Sequence, residues 1–276
     1  MTRDIRIVCV NGFNIPGLEY PSQPLDDLLE IKNPETELIV HDAPDSLVHF
    51  VEQNYENEIV GVQHAREAWK IDQAGDVDAI IIRCNGEPGV KSARELCDTL
   101  VVGAACAVQH VASMLGRTFS YVIAGLETGE GELSIEHTKD TLLSAAQHYG
   151  LANKLVSIRN VDVPPTGFNE LILDEAAFQE ICIKATEEAR LAVIDDGAEV
   201  IIGYGGPRLH EVLVDAMRPF GVPVLSTDQT LLKVAEMLVQ LGLTQSKRTY
   251  PKPRQLYDFE IVAKEIIDNR DVGDKI

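Results

Sequence analysis

The most constraining feature of this sequence is a set of short, uninterrupted apolar runs, each followed by a turn and then a helical pattern. Residues 78–83 contain Ala-Ile-Ile-Ile and break at Cys84-Asn85-Gly86. A run without polar–apolar alternation must be covered on both faces, as strands are in a parallel sheet flanked by helices. Comparable strands are read at 5–10, 37–41, 100–102, 119–123, 154–158, 200–202 and 222–225. Helical stretches lie between them, at 60–70, 90–97, 104–115, 134–149, 175–194 and 230–241. This alternation predicts an α/β protein built from right-handed βαβ units. After a polar stretch at 244–254, Phe259, Val262, Ile266 and Ile267 recur at helical spacing and predict a last helix over 257–268.

The pattern occurs twice. Ile80-Ile81-Ile82-Arg83-Cys84-Asn85-Gly86 is echoed by Val200-Ile201-Ile202-Gly203-Tyr204-Gly205-Gly206. Each unit then has a second strand, at 100–103 and 222–225, and a further helix, at 107–115 and 230–241. The matching order points to duplication and to two similar lobes facing each other across a cleft. A chain of 276 residues is long enough for two α/β lobes. We read 1–101 plus 226–276 as the first lobe and 102–225 as the second.

Charge and composition narrow the function. The net charge of −20 argues against a nucleic-acid partner, because an acidic surface repels phosphate backbones. It leaves room for a small anion held by local backbone amides. No apolar run approaches the length of a membrane span, and Met1-Thr2-Arg3-Asp4 leads into a strand rather than a signal peptide. The five cysteines are odd in number and form no CxxC pair, and the seven histidines show no metal-ligand spacing. These observations predict a cytoplasmic protein with free thiols, no metal and no membrane partner.

In open α/β sheets, ligands bind at the carboxyl ends of the strands. Three such ends stand out: Asn11-Gly12-Phe13-Asn14, Cys84-Asn85-Gly86-Glu87-Pro88-Gly89 and Gly203-Tyr204-Gly205-Gly206. Cys84 sits where a buried strand meets a glycine-bearing turn and a helix. Amides at that helix start would favour the thiolate and hold negative charge developing on a bound carbonyl. A buried structural cysteine is the competing reading, and it is the stronger one for Cys9, Cys97 and Cys182. Cys106, near a strand end, stands between these cases. Gly203 to Gly206 lacks the third glycine of a dinucleotide fingerprint, and a tight turn exposing amides to a carboxylate fits better. His110 falls within a helix. His210 lies just past the glycine turn, within reach of a cleft.

These segments together resemble the aspartate/glutamate/hydantoin racemase superfamily. The likeness is strongest in Asp-Ala-Ile-Ile-Ile-Arg-Cys-Asn-Gly-Glu-Pro-Gly at 78–89, Ala-Arg-Glu-Leu at 93–96 and Val-Val-Gly-Ala-Ala-Cys-Ala at 101–107. Support comes from Asp196 to Gly203, Gly221 to Val224, Lys233 to Glu236, and Leu241 to Lys247 before Tyr250 and Pro251. The resemblance implies two pseudo-symmetric Rossmann-like lobes with parallel-rich sheets and the active site between them. It also implies chemistry without cofactor or metal, in which two cysteines act on opposite faces of a carbon next to a carbonyl. Cys84 matches the first cysteine; Tyr204 stands at the second. At the other turns, only Asn11 of the first matches, and Ile123-Ala124-Gly125 replaces a polar pair.

The resulting expectation is a cofactor-independent racemase or isomerase acting on a small carboxylate or hydantoin-like ring. Cys84 would be the acid–base group or nucleophile, with Tyr204 opposite it as an acid or anion binder. Asn11, Asn14, Asn85, Gly86, Gly205 and Gly206 would bind substrate. A single-cysteine lyase, decarboxylase or hydrolase is the alternative, and a non-catalytic binding protein a further one. Homo-oligomerisation is compatible with all three.

Overall fold

The computed structural model describes residues 4–11, 26–42, 48, 51, 53–123, 135–163, 174–203 and 206–256. Strands β1 (Ile5–Asn11), β2 (Thr36–Asp42), β3 (Ala79–Arg83) and β4 (Leu100–Gly103) form one four-stranded sheet in the order β2-β1-β3-β4, with every pairing parallel. Strands β5 (Phe119–Ile123), β6 (Leu155–Asn160), β7 (Ile201–Gly203) and β8 (Val224–Ser226) form a second parallel sheet in the order β6-β5-β7-β8. The second sheet thus repeats the order of the first, as the internal echo predicts. The helices are α1 (Asp26–Ile31), α2 (Asn54–Ala74), α3 (Val90–Leu96), α4 (Ala104–Leu115), α5 (Ile135–His148), α6 (Glu175–Ile194), α7 (Gly206–Met217) and α8 (Thr227–Gln240).

The apolar runs behave as their composition requires. In β3, Ala79 and Ile81 face a core completed by Leu28 of α1, Ala104 and Ala107 of α4, and Leu231, Leu232 and Ala235 of α8. Ile80 and Ile82 face the opposite core, with Ala68 of α2 and Val90 and Ala93 of α3. Each strand residue alternates sides, so an apolar side chain at every position buries both faces. The second sheet does the same. Val122 and Ile201 pack on α6 and α7, whereas Phe119, Tyr121, Ile123 and Ile202 pack on α4 and α5.

Helix α4 therefore serves both lobes. Ala104 and Ala107 belong to the core of the first sheet, and Val108 and Ala112 to that of the second. Helix α8 follows the last strand of the second sheet but packs on β1, β3 and β4 of the first. The segment after it continues along that lobe. The Gln245 side chain accepts from Val101 N at 2.9 Å and donates to the Cys97 and Thr99 carbonyls, so it occupies the free edge of β4 as a strand would.

Some boundaries differ from the sequence reading. Helix α8 starts at Thr227 rather than at 230, because the Ser226 side chain caps it, accepting from Gln229 N. Helix α2 extends well beyond 60–70, opened by a capping box between Gln53 and Glu56. The helix expected over 257–268 lies outside the described residues.

Candidate active site

In the first sheet, β1 lies between β2 and β3, so the chain leaves it in opposite directions on its two sides. The crevice at such a switch point, outside the carboxyl ends of the strands, is the natural ligand site of an open α/β sheet. Asn11 ends β1 and pairs in register with Arg83, the last residue of β3. Cys84 follows immediately.

The turn after β3 is held from four sides. Within it, Glu87 N donates to the Cys84 carbonyl at 3.0 Å, and Val90 N to the Glu87 carbonyl at 3.2 Å. From α2, the buried His64 donates through Nδ1 to the Pro88 carbonyl at 3.1 Å. Gly89, with φ of 78°, opens α3 in the left-handed region. A Cβ on Gly89 would fall well inside contact distance of the Gly61 carbonyl, so α2 and the start of α3 meet backbone to backbone. Arg83 donates through Nε and Nη2 to Asp228 Oδ2, at 2.8 and 2.6 Å, tying the strand end to the first turn of α8.

The fourth tie is made by Glu87. It has a φ of 51°, uncommon for a non-glycine residue. Its carboxylate accepts from Cys106 N, in the first turn of α4, at 2.6 Å, and from the Tyr149 hydroxyl, just beyond α5, at 2.6 Å. Arg94 Nη1 donates in turn to the Tyr149 and Tyr250 hydroxyls. Burial pushes the Glu87 carboxyl up from the usual range, against the opposing pull of Tyr149, the Cys106 amide, Arg94 and Lys91.

These surroundings decide the state of Cys84. The sequence suggests a thiol ionised near neutral pH by helix-start amides, and the structure corrects that. Desolvation by burial is the largest influence, and with the Glu87 and Asp228 carboxylates it pushes the thiol up to about 11. The amides of Gly86 and Glu87 do donate to the sulfur and pull the other way, but they are outweighed. In the resting protein Cys84 is a protonated thiol.

The remaining cysteines separate clearly. Cys9, Cys97 and Cys182 are buried. Cys106 is half-buried, with Sγ 3.8 Å from His110 Nδ1. Burial raises it, but His110 and Arg94 outweigh that, and its pKa lies below that of a free cysteine. Among the described residues, no group of three or more His, Cys, Asp or Glu side chains is placed to hold a metal. Likewise, none of the helices is long and apolar enough to cross a membrane.

The Asp/Glu/Hydantoin racemase family model matches residues 29–235, which spans both sheets. The chain belongs to the Asp/Glu/hydantoin racemase family. It is 30% identical over 208 residues to a hydantoin racemase from Paenarthrobacter aurescens, covering 74% of this chain and 80% of that protein. It is also 30% identical over 204 residues to a hydantoin racemase from Pseudomonas sp. strain NS671, covering 74% and 75%. Among solved structures, the allantoin racemase from Pseudomonas fluorescens superimposes with a TM-score of 0.74 at 26% identity, over 92% of this chain and 99% of that one. The protein is a racemase-type enzyme acting on small substrates.

In this racemase-family enzyme, Cys84, Asn85 and Gly86 lie together in the turn after β3, with Asn11 at the neighbouring strand end. Gly206 opens α7 directly after the β7 turn. Asn14, Tyr204 and Gly205 lie outside the described residues. His210 is on α7; its Nδ1 is buried and has no hydrogen-bond partner among the described residues. Two further buried atoms share that condition, Asn85 Oδ1 and Thr227 Oγ1. Glu87, Asp228 and Tyr149 carry no signal in the sequence reading: Glu87 reads as a turn residue, and the other two as parts of helix patterns distant along the chain.

Proposed function

We propose that this enzyme inverts a stereocentre next to a carbonyl in a hydantoin-like ring or small carboxylate, with Cys84 as the proton-transferring group and no cofactor. The observation that carries the reading is the placement of Cys84. Its thiol sits at the switch point of the first sheet, with the Gly86 and Glu87 amides donating to the sulfur. The same amides would steady a thiolate when the proton leaves. Tyr204 is proposed to stand opposite as acid or hydrogen-bond donor. Asn11, Asn14, Asn85, Gly86, Gly205 and Gly206 are proposed to bind the substrate. Asn85 Oδ1, buried and unpaired among the described residues, is an acceptor suited to a ring N–H. We place residues 1–101 plus 226–276 in the first lobe and 102–225 in the second, with the substrate between them and the enzyme in the cytoplasm.

The test is racemisation of a single enantiomer of a 5-substituted hydantoin in deuterated solvent, followed by optical rotation and mass. The reading expects loss of rotation together with deuterium uptake, both abolished in Cys84→Ser. Racemisation at the wild-type rate in Cys84→Ser would refute it. A second reading is favoured by one observation, the protonated state of Cys84: a thiol acid that delivers one proton to a carbanion left by decarboxylation. Carbon dioxide release from a disubstituted malonate, without racemisation of hydantoins, would select it.

A further inference from the structure

We propose that Glu87 is a positioning residue, a strut that fixes the Cys84 turn against the second lobe through the Tyr149 hydroxyl. The inference rests on Cys84 being the reacting group. Cys84 belongs to the first sheet's turn, closed by the bond from Glu87 N to the Cys84 carbonyl. Tyr149 follows α5 and packs in the core of the second sheet with Phe119, Ile123 and Ile202. The 2.6 Å bond from the Tyr149 hydroxyl to Glu87 Oε2 therefore joins two lobes, at a point three residues from the sulfur-bearing residue. The other oxygen, Oε1, accepts from Cys106 N on α4, the helix whose two faces serve both cores.

Three features show that the chain is shaped around this carboxylate. Glu87 takes a left-handed backbone that its side chain disfavours. Gly103, at the end of β4, leaves the space it fills: a Cβ there would fall well inside contact distance of Oε1. Arg94 donates to the Tyr149 oxygen, which directs the phenolic proton at Glu87. A carboxyl buried at a helix junction is a poor source of stability, since its desolvation offsets much of what its bonds return. Backbone strain retained around a polar group at a ligand crevice is what a positioning role requires. The charged and titratable groups facing Glu87 are Arg94 and Lys91 of α3, Cys106 and His110 of α4, and Tyr149; those facing Cys84 are Glu87 and Asp228.

The test uses the full chain and two variants, Tyr149→Phe and Glu87→Gln, each first shown to be folded by its thermal transition. Tyr149→Phe removes the lobe-to-lobe bond and leaves the carboxylate. We expect kcat for hydantoin racemisation to fall on the order of ten-fold, the factor carried by one hydrogen bond to a charged group, with KM changed less than about two-fold. We also expect alkylation of Cys84 by iodoacetamide, followed by peptide mass, to speed up by a similar factor in both variants, because a loosened turn admits water to the thiol. A purely structural role would lower the melting temperature without moving either readout. Unchanged kcat in folded Tyr149→Phe overturns the proposal. If the wild-type protein turns over no hydantoin, the reaction reading has failed, and the alkylation arm still decides the strut: unchanged Cys84 alkylation in both variants overturns it.

Discussion

The raised pKa of Cys84 has a direct kinetic consequence. If its thiolate takes the substrate proton, kcat/KM follows the thiolate fraction of the free enzyme. With a pKa of about 11, that fraction is about one in ten thousand at pH 7. Ionising the thiol then costs about 5 kcal/mol, a share of the barrier that binding and the Gly86 and Glu87 amides must offset. The sign is fixed by the direction of the shift. A pKa raised above the working range means that each step up in pH increases the reactive form. The perturbation is pH itself, and the assay is the decay of circular dichroism of one hydantoin enantiomer, with the enzyme-free rate subtracted. Between pH 6.5 and 8.5, kcat/KM should rise about ten-fold per unit, roughly a hundred-fold in all, without levelling off. Cys84→Ser should show neither the rate nor the slope. A flat profile over the same window would refute the thiolate-base reasoning and leave the thiol as a proton donor.

Two further expectations follow from the same network. Iodoacetamide at pH 7.5 should label Cys106 before Cys84, because His110 and Arg94 lower one thiol while desolvation raises the other; peptide mass after partial reaction reads the order, and preferential labelling of Cys84 would contradict it. Gln245→Ala should destabilise the protein by about 2–3 kcal/mol, since it leaves Val101 N and the Cys97 and Thr99 carbonyls without their partner. Denaturant unfolding measures that, and a change under about 0.5 kcal/mol would show that water replaces the side chain freely.

The fold was legible because its signal is local. Ile80, Ile81 and Ile82 announce a strand covered on both faces, and they pack into two different cores. The repeat of strand, turn and helix near Val200 anticipates the second sheet, whose order matches the first. Cys84 and its glycine turn were legible for the same reason: a strand end is recognisable from the residues on either side. Glu87 was visible only as part of a turn, because its importance comes from Tyr149 and Cys106, which are near it in space but not in sequence. Asp228 is similarly hidden, being fixed to Arg83 by the return of α8 to the first lobe.

The ionisation of Cys84 shows why geometry at a helix start does not by itself settle chemistry. The amides of Gly86 and Glu87 are where a simple dipole argument places them, and they act in the expected direction. Yet the turn that aims them is packed from α2, α3, α4 and α8, through His64, Gly89, Cys106 and Asp228, and the packing that makes it rigid also strips the sulfur of water. Two carboxylates, Glu87 and Asp228, are fixed nearby as part of that packing, and each further disfavours a second negative charge. Rigidity and ionisation are therefore opposed at this residue. A site with these properties keeps its thiol protonated and protected from alkylation while empty. Proton transfer then depends on what the substrate brings, namely an acidic C–H beside a carbonyl whose developing charge the turn amides can share.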